Sequence, residues 1–273
     1  MSYDFSVNRW ASNRNRVCKY YGITQDPITR EMMIIMPYYD SGDLIHYMTK
    51  DFYNISWGKK LENLSGIILG LRGLHSAGIT HRDLHSGNIL CNGKSGKNGK
   101  NTVVISDLGL SKSATSESID NENYGIIPYM APEIFQGQEY TKKSDIYSFG
   151  MIMWEVMTGR RPFWDRSHDA DLIIEIIDGL RPPIVTNAPE GYIELMKECW
   201  HPDPGKRLYS GQTRNKIIKI IENEQKNPTK IIESPDIGPV TYNLGTIYKS
   251  RPISAMIQSA MSSRSLRTQF TGK

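Results

Sequence analysis

Leu61, Leu64, Ile68 and Leu71, with Leu74 behind them, recur at the three- and four-residue spacing of one helix face, and Gly78 follows as a stop. A second helix is predicted to open at Ser144 or Asp145 and to run to Gly159. Ile146, Phe149, Ile152, Met153, Val156 and Met157 cover nearly its whole circumference, so it should be central and buried. Further helices are predicted around Tyr192, Leu195, Met196 and Cys199, and around Ile217, Ile218, Ile220 and Ile221. Ahead of them, the β-like runs Lys19–Thr24 and Glu31–Met36 flank Asp26-Pro27 and predict a hairpin. Ile89–Cys91 and Thr102–Ser106 read as strands either side of a Gly/Asn/Lys loop, Asn92–Asn101. Its lysines Lys94, Lys97 and Lys100 suit either a phosphate grip or, more simply, a solvated hairpin tip. Beyond Asn227 the periodicity fades.

Composition narrows the picture. The 273 residues are 38% hydrophobic and 23% charged, enough for one globular unit or one unit plus a tail. No apolar run reaches bilayer length, and Met1–Trp10 lacks the layout of a secretory leader. No membrane association and a cytoplasmic location are therefore expected. Cys18, Cys91 and Cys199 stand singly, which predicts reduced thiols rather than a disulfide or zinc framework. The net charge of +4 is uneven: from Lys226 onward seven Lys/Arg face only Glu233 and Asp236, leaving the body near −1. The body is thus no nucleic-acid surface, and the basic, Ser/Thr-rich end is expected to be a solvated, flexible extension.

The chemistry concentrates in three places. His81-Arg82-Asp83-Leu84-His85-Ser86-Gly87-Asn88 fits the pattern H-R-D-L-x-x-x-N of the protein-kinase catalytic loop. Phosphoryl transfer needs a carboxylate near the incoming hydroxyl and oxygen ligands on magnesium, and Asp83 and Asn88 are residue types suited to those tasks. Alone, an Asp and an Asn in a loop would be ordinary turn residues. The strand Val103–Ser106, however, ends in Asp107-Leu108-Gly109, which resembles the D-F-G signature, and Ala131-Pro132-Glu133 matches A-P-E downstream.

On these residues the chain resembles eukaryotic protein kinases from about Lys19 to Glu224. Asp145-Ile-Tyr-Ser-Phe-Gly and Cys199-Trp200 point to the tyrosine-kinase-like branch. The resemblance implies an α+β, protein-kinase-like fold: a mainly helical large lobe (44–225) behind a remnant small-lobe hairpin (16–36) and a hinge (37–43). Residues 1–15 stay unassigned and 226–273 form the flexible tail. It further implies ATP and Mg²⁺ as cofactors and a protein as substrate. Asp83 would be catalytic, with Arg82 and His85 beside it, and Asn88 and Asp107 would hold metal. Pro37 and Tyr39 would meet adenine through the backbone, Asp43 would lie near the ribose and Leu90 under the base, with Met36 as gatekeeper. His81 would be structural, Asp145 would anchor the catalytic loop, and Arg207 would pair with Glu133.

Several positions depart from the pattern. The glycine-rich loop, strand lysine and helix glutamate that cover and neutralise phosphates are absent, since Lys19, Gly22 and Glu31 all fall too near the hinge. About half of a small lobe is therefore expected to be missing, and these 273 residues to bind Mg-ATP weakly. His85 replaces the lysine usual in serine/threonine kinases, and Ile126 replaces a threonine, so Ser/Thr against Tyr preference stays open. Arg82 implies phosphate sensing, with Ser111, Ser113, Thr115, Ser116, Ser118 and Tyr124 as candidate acceptors. Two functions of different class remain: an enzyme moving the ATP γ-phosphoryl group to a Ser/Thr (or Tyr) hydroxyl, or a kinase-like binding module without turnover. Small-molecule kinases share the Asp and Asn but lack the Glu133, Asp145 and Arg207 framework.

Overall fold

A computed structural model describes residues 16–93, 102–113 and 122–271. The runs around Asp26-Pro27 form an antiparallel ribbon, β1 (Gly22–Gln25) and β2 (Met32–Ile35), with Gly22 opposite Ile35. Asp26 ties the turn, its Oδ1 accepting from the N–H groups of Ile28 and Thr29 at 2.7 and 2.9 Å. A short side chain that bonds its own backbone is what suits Asp to this place.

After the hinge the chain turns helical. Asp43 caps α1 (Leu44–Lys50) and Ser56 caps α2 (Trp57–Ser76), each accepting a backbone N–H of the first turn. Leu61, Leu64, Ile68, Leu71 and Leu74 are buried as their spacing requires. Gly70 lets the chain at Arg16 lie against α2: a Cβ there would stand 2.6 Å from the Arg16 carbonyl. Next come β3 (Ile79–Thr80), then β4 (Ile89–Asn92) paired antiparallel with β5 (Thr102–Ile105). β6 (Lys112–Ser113) pairs with β3, and β7 (Tyr124–Gly125) follows. The lysine-bearing loop and the candidate acceptors Thr115, Ser116 and Ser118 lie outside the described residues.

A single turn, α3 (Pro132–Phe135), leads to the central helix α4 (Lys142–Thr158). It begins slightly before the predicted start because Thr141 and Ser144 form a reciprocal capping box, and it ends on Gly159 at φ 71°. Residues Ser144–Thr158 are all buried, as expected of a helix that is apolar nearly all round. Around it stand α5 (Ala170–Ile177), α6 (Tyr192–Cys199) and α7 (Ser210–Lys226); α4 packs on α2 and α6, and α2 on α7 and β5. Among the described residues no helix is long and apolar enough to cross a membrane.

The expectation of a flexible tail is corrected over the described part of it. Arg160 holds the carbonyls of Gly238 and Pro235, Tyr53 donates to Ile237 O at 2.9 Å, and Gly238 N–H reaches Thr158 O at 2.7 Å. Further on, β8 (Arg251–Pro252) pairs antiparallel with β7, and α8 (Ser254–Thr271) packs on α5. Periodicity missed this because the anchors, Ile237, Ile253, Ile257 and Ala260, are few and widely spaced, yet each is buried. The basic excess is answered by the body: Arg264 meets Asp178 at 2.8 Å and Arg267 meets Asp171 at 2.9 Å. Exposed pairs of this kind contribute about 0–1 kcal/mol each, so the apolar anchors and backbone bonds do most of the holding.

Candidate active site

The loop that follows β3 is fixed from beneath by one carboxylate. Asp145, in the first turn of α4, accepts from His81 N–H at 2.9 Å, Arg82 N–H at 3.0 Å and His75 Nε2 at 2.9 Å. Ser210 Oγ meets the other ring nitrogen of His75 at 3.2 Å. A buried carboxylate with its lone pairs so engaged is a rigid peg, and it holds Arg82 at φ 74°, a left-handed backbone that a side chain disfavours. The Arg82 guanidinium lies 5.6 Å over the Tyr140 ring.

His81 joins this loop to the strand behind it. Its Nδ1 accepts from Asp83 N–H at 3.3 Å, so the proton sits on Nε2 and is donated to Ser106 O at 3.0 Å. Ser106 returns N–H and Oγ–H to Asn88 O at 2.8 and 3.0 Å. Asn88 Nδ2 donates to Asp83 O at 2.9 Å. This commits the amide nitrogen to the loop and leaves the oxygen end for a ligand. Asp107 follows Ser106 directly, at φ 55°, with its N–H donated to Tyr20 OH at 2.7 Å and its carboxylate exposed. Leu108, in the phenylalanine position of the D-F-G pattern, is buried in the core.

Asp83 itself is only 6% exposed. Burial pushes its carboxyl up, but His85, His81 and the Ser250 hydroxyl outweigh that, so it stays below the ordinary carboxylate value and ionised. His85 Nδ1 accepts from Gly87 N–H at 3.1 Å, which places its proton on Nε2, 3.7 Å from Asp83 Oδ2. Behind the loop, Glu155 accepts from Ser86 Oγ and Tyr129 OH, both at 2.8 Å. Burial pushes Glu155 up to about 7, against the pull of Arg161, Ser86, Tyr129 and His85.

Glu133 and Arg207 form a second assembly. The two hydrogen bonds are parallel, 2.6 and 2.7 Å, with 0% and 4% of the Arg and Glu side chains exposed. Arg207 spends its other donors on the carbonyls of His201, Pro202 and Lys143. All five guanidinium hydrogens are thus satisfied, which is what lets a charge sit there.

The hinge forms the third. Ser41 N–H meets Cys91 O at 3.2 Å and Cys91 N–H meets Gly42 O at 2.8 Å, with Asp43 bridged to Leu90, so 37–43 is stitched to β4. Pro37, Tyr39 and Leu90 are half-buried there, while Tyr38 is 88% exposed. The Tyr39 hydroxyl reaches Cys18 Sγ at 3.6 Å. Asp43 Oδ1 is engaged as the helix cap on His46 N–H at 2.8 Å. Sequence reasoning passed over His75, the contacts of Glu155, and Ser250. Of these only Glu155 carried a signal, as a lone charge inside an apolar helix.

An aspartate braced between two histidines, an asparagine tied to its backbone, a strand-end aspartate next to it and a buried Glu–Arg clasp together define a protein kinase. The chain belongs to the family described as protein tyrosine and serine/threonine kinase, whose sequence profile matches residues 8–217. It is 33% identical over 75% of its length to Probable serine/threonine-protein kinase roco5 of Dictyostelium discoideum. It is 34% identical over 84% to Ephrin type-A receptor 7 of Gallus gallus, and 30% over 80% to Stress-activated protein kinase alpha of Dictyostelium discoideum. The matched parts span 8%, 21% and 35% of those proteins, respectively.

Proposed function

We propose that this protein transfers the γ-phosphoryl group of ATP to a hydroxyl of a protein, with Asp83 receiving the hydroxyl proton. The observation that carries this reading is the state of Asp83: buried, ionised, flanked by His81 and His85, and locked to Asn88. A general base must be deprotonated and fixed in place before its acceptor arrives, and both conditions hold here.

The residues present suit a magnesium ion. Asn88 offers an amide oxygen and Asp107 an exposed carboxylate, two hard donors, and among the described residues no His/Cys/Asp/Glu group forms a full metal cage. Magnesium takes few protein oxygens and completes its shell with phosphate and water. When bound it would neutralise phosphate charge. The chain's own residues do the rest. Pro37 O and Tyr39 N–H would take the adenine edge, Leu90 would lie beneath the base, and His85 would keep the proton-accepting carboxylate turned toward the acceptor. Arg82 would receive an activation-segment phosphate, with Ser111, Ser113 and Tyr124 the described candidates. The tyrosine-kinase-like branch and a cytoplasmic setting belong to this reading.

A binding module without turnover is the second reading. It is favoured by Arg16–Met36, which supplies neither a glycine-rich loop nor a Lys–Glu pair for the phosphates. Radiolabel transfer from ATP to a generic protein substrate separates the two. Slow incorporation that falls by about a thousandfold or more in Asp83→Asn supports the enzyme; incorporation unaffected by that change, or none at all, supports the module.

A further inference from the structure

Trp57, Lys60 and Asn63 stand three residues apart along α2, so they share one face of the helix, and all three are buried. Lys60 is the most enclosed, at 0% exposed. Its Nζ lies 3.8 Å from the centre of the Phe52 ring and 5.1 Å from that of the Trp57 ring. Tyr192 packs on Trp57 edge to face, with ring centres 4.9 Å apart. Ring faces attract a cation but carry no counter-charge. Among the described residues, Lys60 Nζ, Trp57 Nε1 and Asn63 Nδ2 have no hydrogen-bond partner. Buried oxygens of the neighbouring helices are committed elsewhere: the Tyr192 hydroxyl donates to Met153 O at 2.7 Å, and Glu224 of α7 is taken by Thr229 N–H at 3.0 Å and Oγ–H at 2.7 Å. The first turn of α2 holds no acidic residue, and the dipole of that helix end adds positive potential. Burial alone pushes the Lys60 ammonium down to about 7, with no carboxylate pulling it back. Unpaired buried donors and an unanswered buried charge are both costly, and one small anion removes both costs.

We propose that the face of α2 formed by Trp57, Lys60 and Asn63, bounded by the Phe52 ring, binds a small monovalent anion of the chloride class. Charge sets the valence: one ammonium balances one negative charge, and a divalent oxyanion would bring a second charge into an apolar enclosure. Hydrogen bonding sets the sign. All three unpaired groups are donors, and an anion accepts from several at once, whereas water would leave the ammonium's charge unanswered. Enclosure sets the size, since Lys60 is fully covered. Lys59, the adjacent cation, plays no part: it is paired with Glu62 at 3.0 Å on the outer side of the helix. The ion would neutralise a charge near the start of the helix that packs on β5 and α7 and that carries, at its other end, His75, the support of Asp145. It is a structural ion of the large lobe, with no step in the proposed transfer.

The test follows thermal unfolding of the full chain by circular dichroism at constant ionic strength, with about 0.2 M sodium chloride exchanged for sodium gluconate, whose anion is too large for the enclosure. A ligand of the folded state stabilises it by mass action, and Lys60→Met keeps the length of the side chain while removing its charge and its donors. The shift of the midpoint on going from gluconate to chloride should therefore be more positive in the unaltered chain than in Lys60→Met by at least about 3 °C, a difference from which general salt effects cancel. Trp57→Phe keeps a ring and removes the N–H, and should lose about half of that difference or more. Should Lys60→Met fail to fold, Trp57→Phe carries the same comparison. A crystal grown in bromide gives the position: its anomalous signal should lie within hydrogen-bonding reach of Lys60 Nζ. Equal shifts in the unaltered chain and the variants, or no bromide on that face of α2, would overturn the site.

Discussion

Met32-Met33-Ile34-Ile35 and Met151-Ile152-Met153-Trp154 are nearly the same four residues chemically. The first set is 66, 43, 43 and 47% exposed, the second 0, 0, 0 and 3%. Side-chain hydrophobicity therefore does not decide which is inside. The helix that carries the second set is enclosed by α2 and α6, and a fully buried side chain of this size contributes about 1.5–3 kcal/mol. The ribbon that carries the first has two strands, and its exposed residues lie on both faces. A two-stranded ribbon is marginal alone, and open edges of this kind invite a further strand. The well-packed part of the protein is the part that holds Asp83, Asn88 and Asp107 in place.

Among the buried contacts, the one at Glu133 should matter most. Glu133→Ala leaves Arg207 as an uncompensated buried charge and should cost about 3–5 kcal/mol by chemical denaturation, since all five donors of Arg207 are committed around it. A loss near zero would show that the clasp does not brace the large lobe. The next effect is pH dependence from Glu155. Its carboxyl ionises near 7 in the fold and near 4.5 when unfolded, so between those values the folded state holds more protons. Stability should therefore fall as pH rises from about 4.5 to about 7, by up to about 3 kcal/mol, and Glu155→Gln should flatten that slope. The smallest effect belongs to the ribbon: Ile34→Ser should change stability by less than about 0.5 kcal/mol. A cost of several kcal/mol there would mean that the ribbon is part of the same cooperative core.

Much of this was legible in the sequence, and the reasons are physical. Helices with a continuous stripe, such as Leu61 to Leu74, announce themselves because burial forces periodicity. The expected start of α4 was off by two or three residues because Thr141 is the cap and Ser144 answers it from the third helical position. The catalytic loop could be read because chemistry fixes residue types at fixed spacing. The placement of 226–271 could not be read, since carbonyls held by Arg160 and His168 leave no trace in side-chain pattern. His75 was equally silent: it matters through a distant partner, Asp145, and nothing local marks it.

The proposed function gives two aspartates separate roles, Asp83 toward the acceptor and Asp107 toward the nucleotide. Calorimetric titration of Mg-ATP into the full chain, Asp83→Asn and Asp107→Asn measures that separation. Affinity should stay within about twofold for Asp83→Asn and fall by at least about tenfold for Asp107→Asn, which would lose the proposed metal ligand. Equal losses in the two variants, or an affinity indifferent to Asp107→Asn, would contradict it.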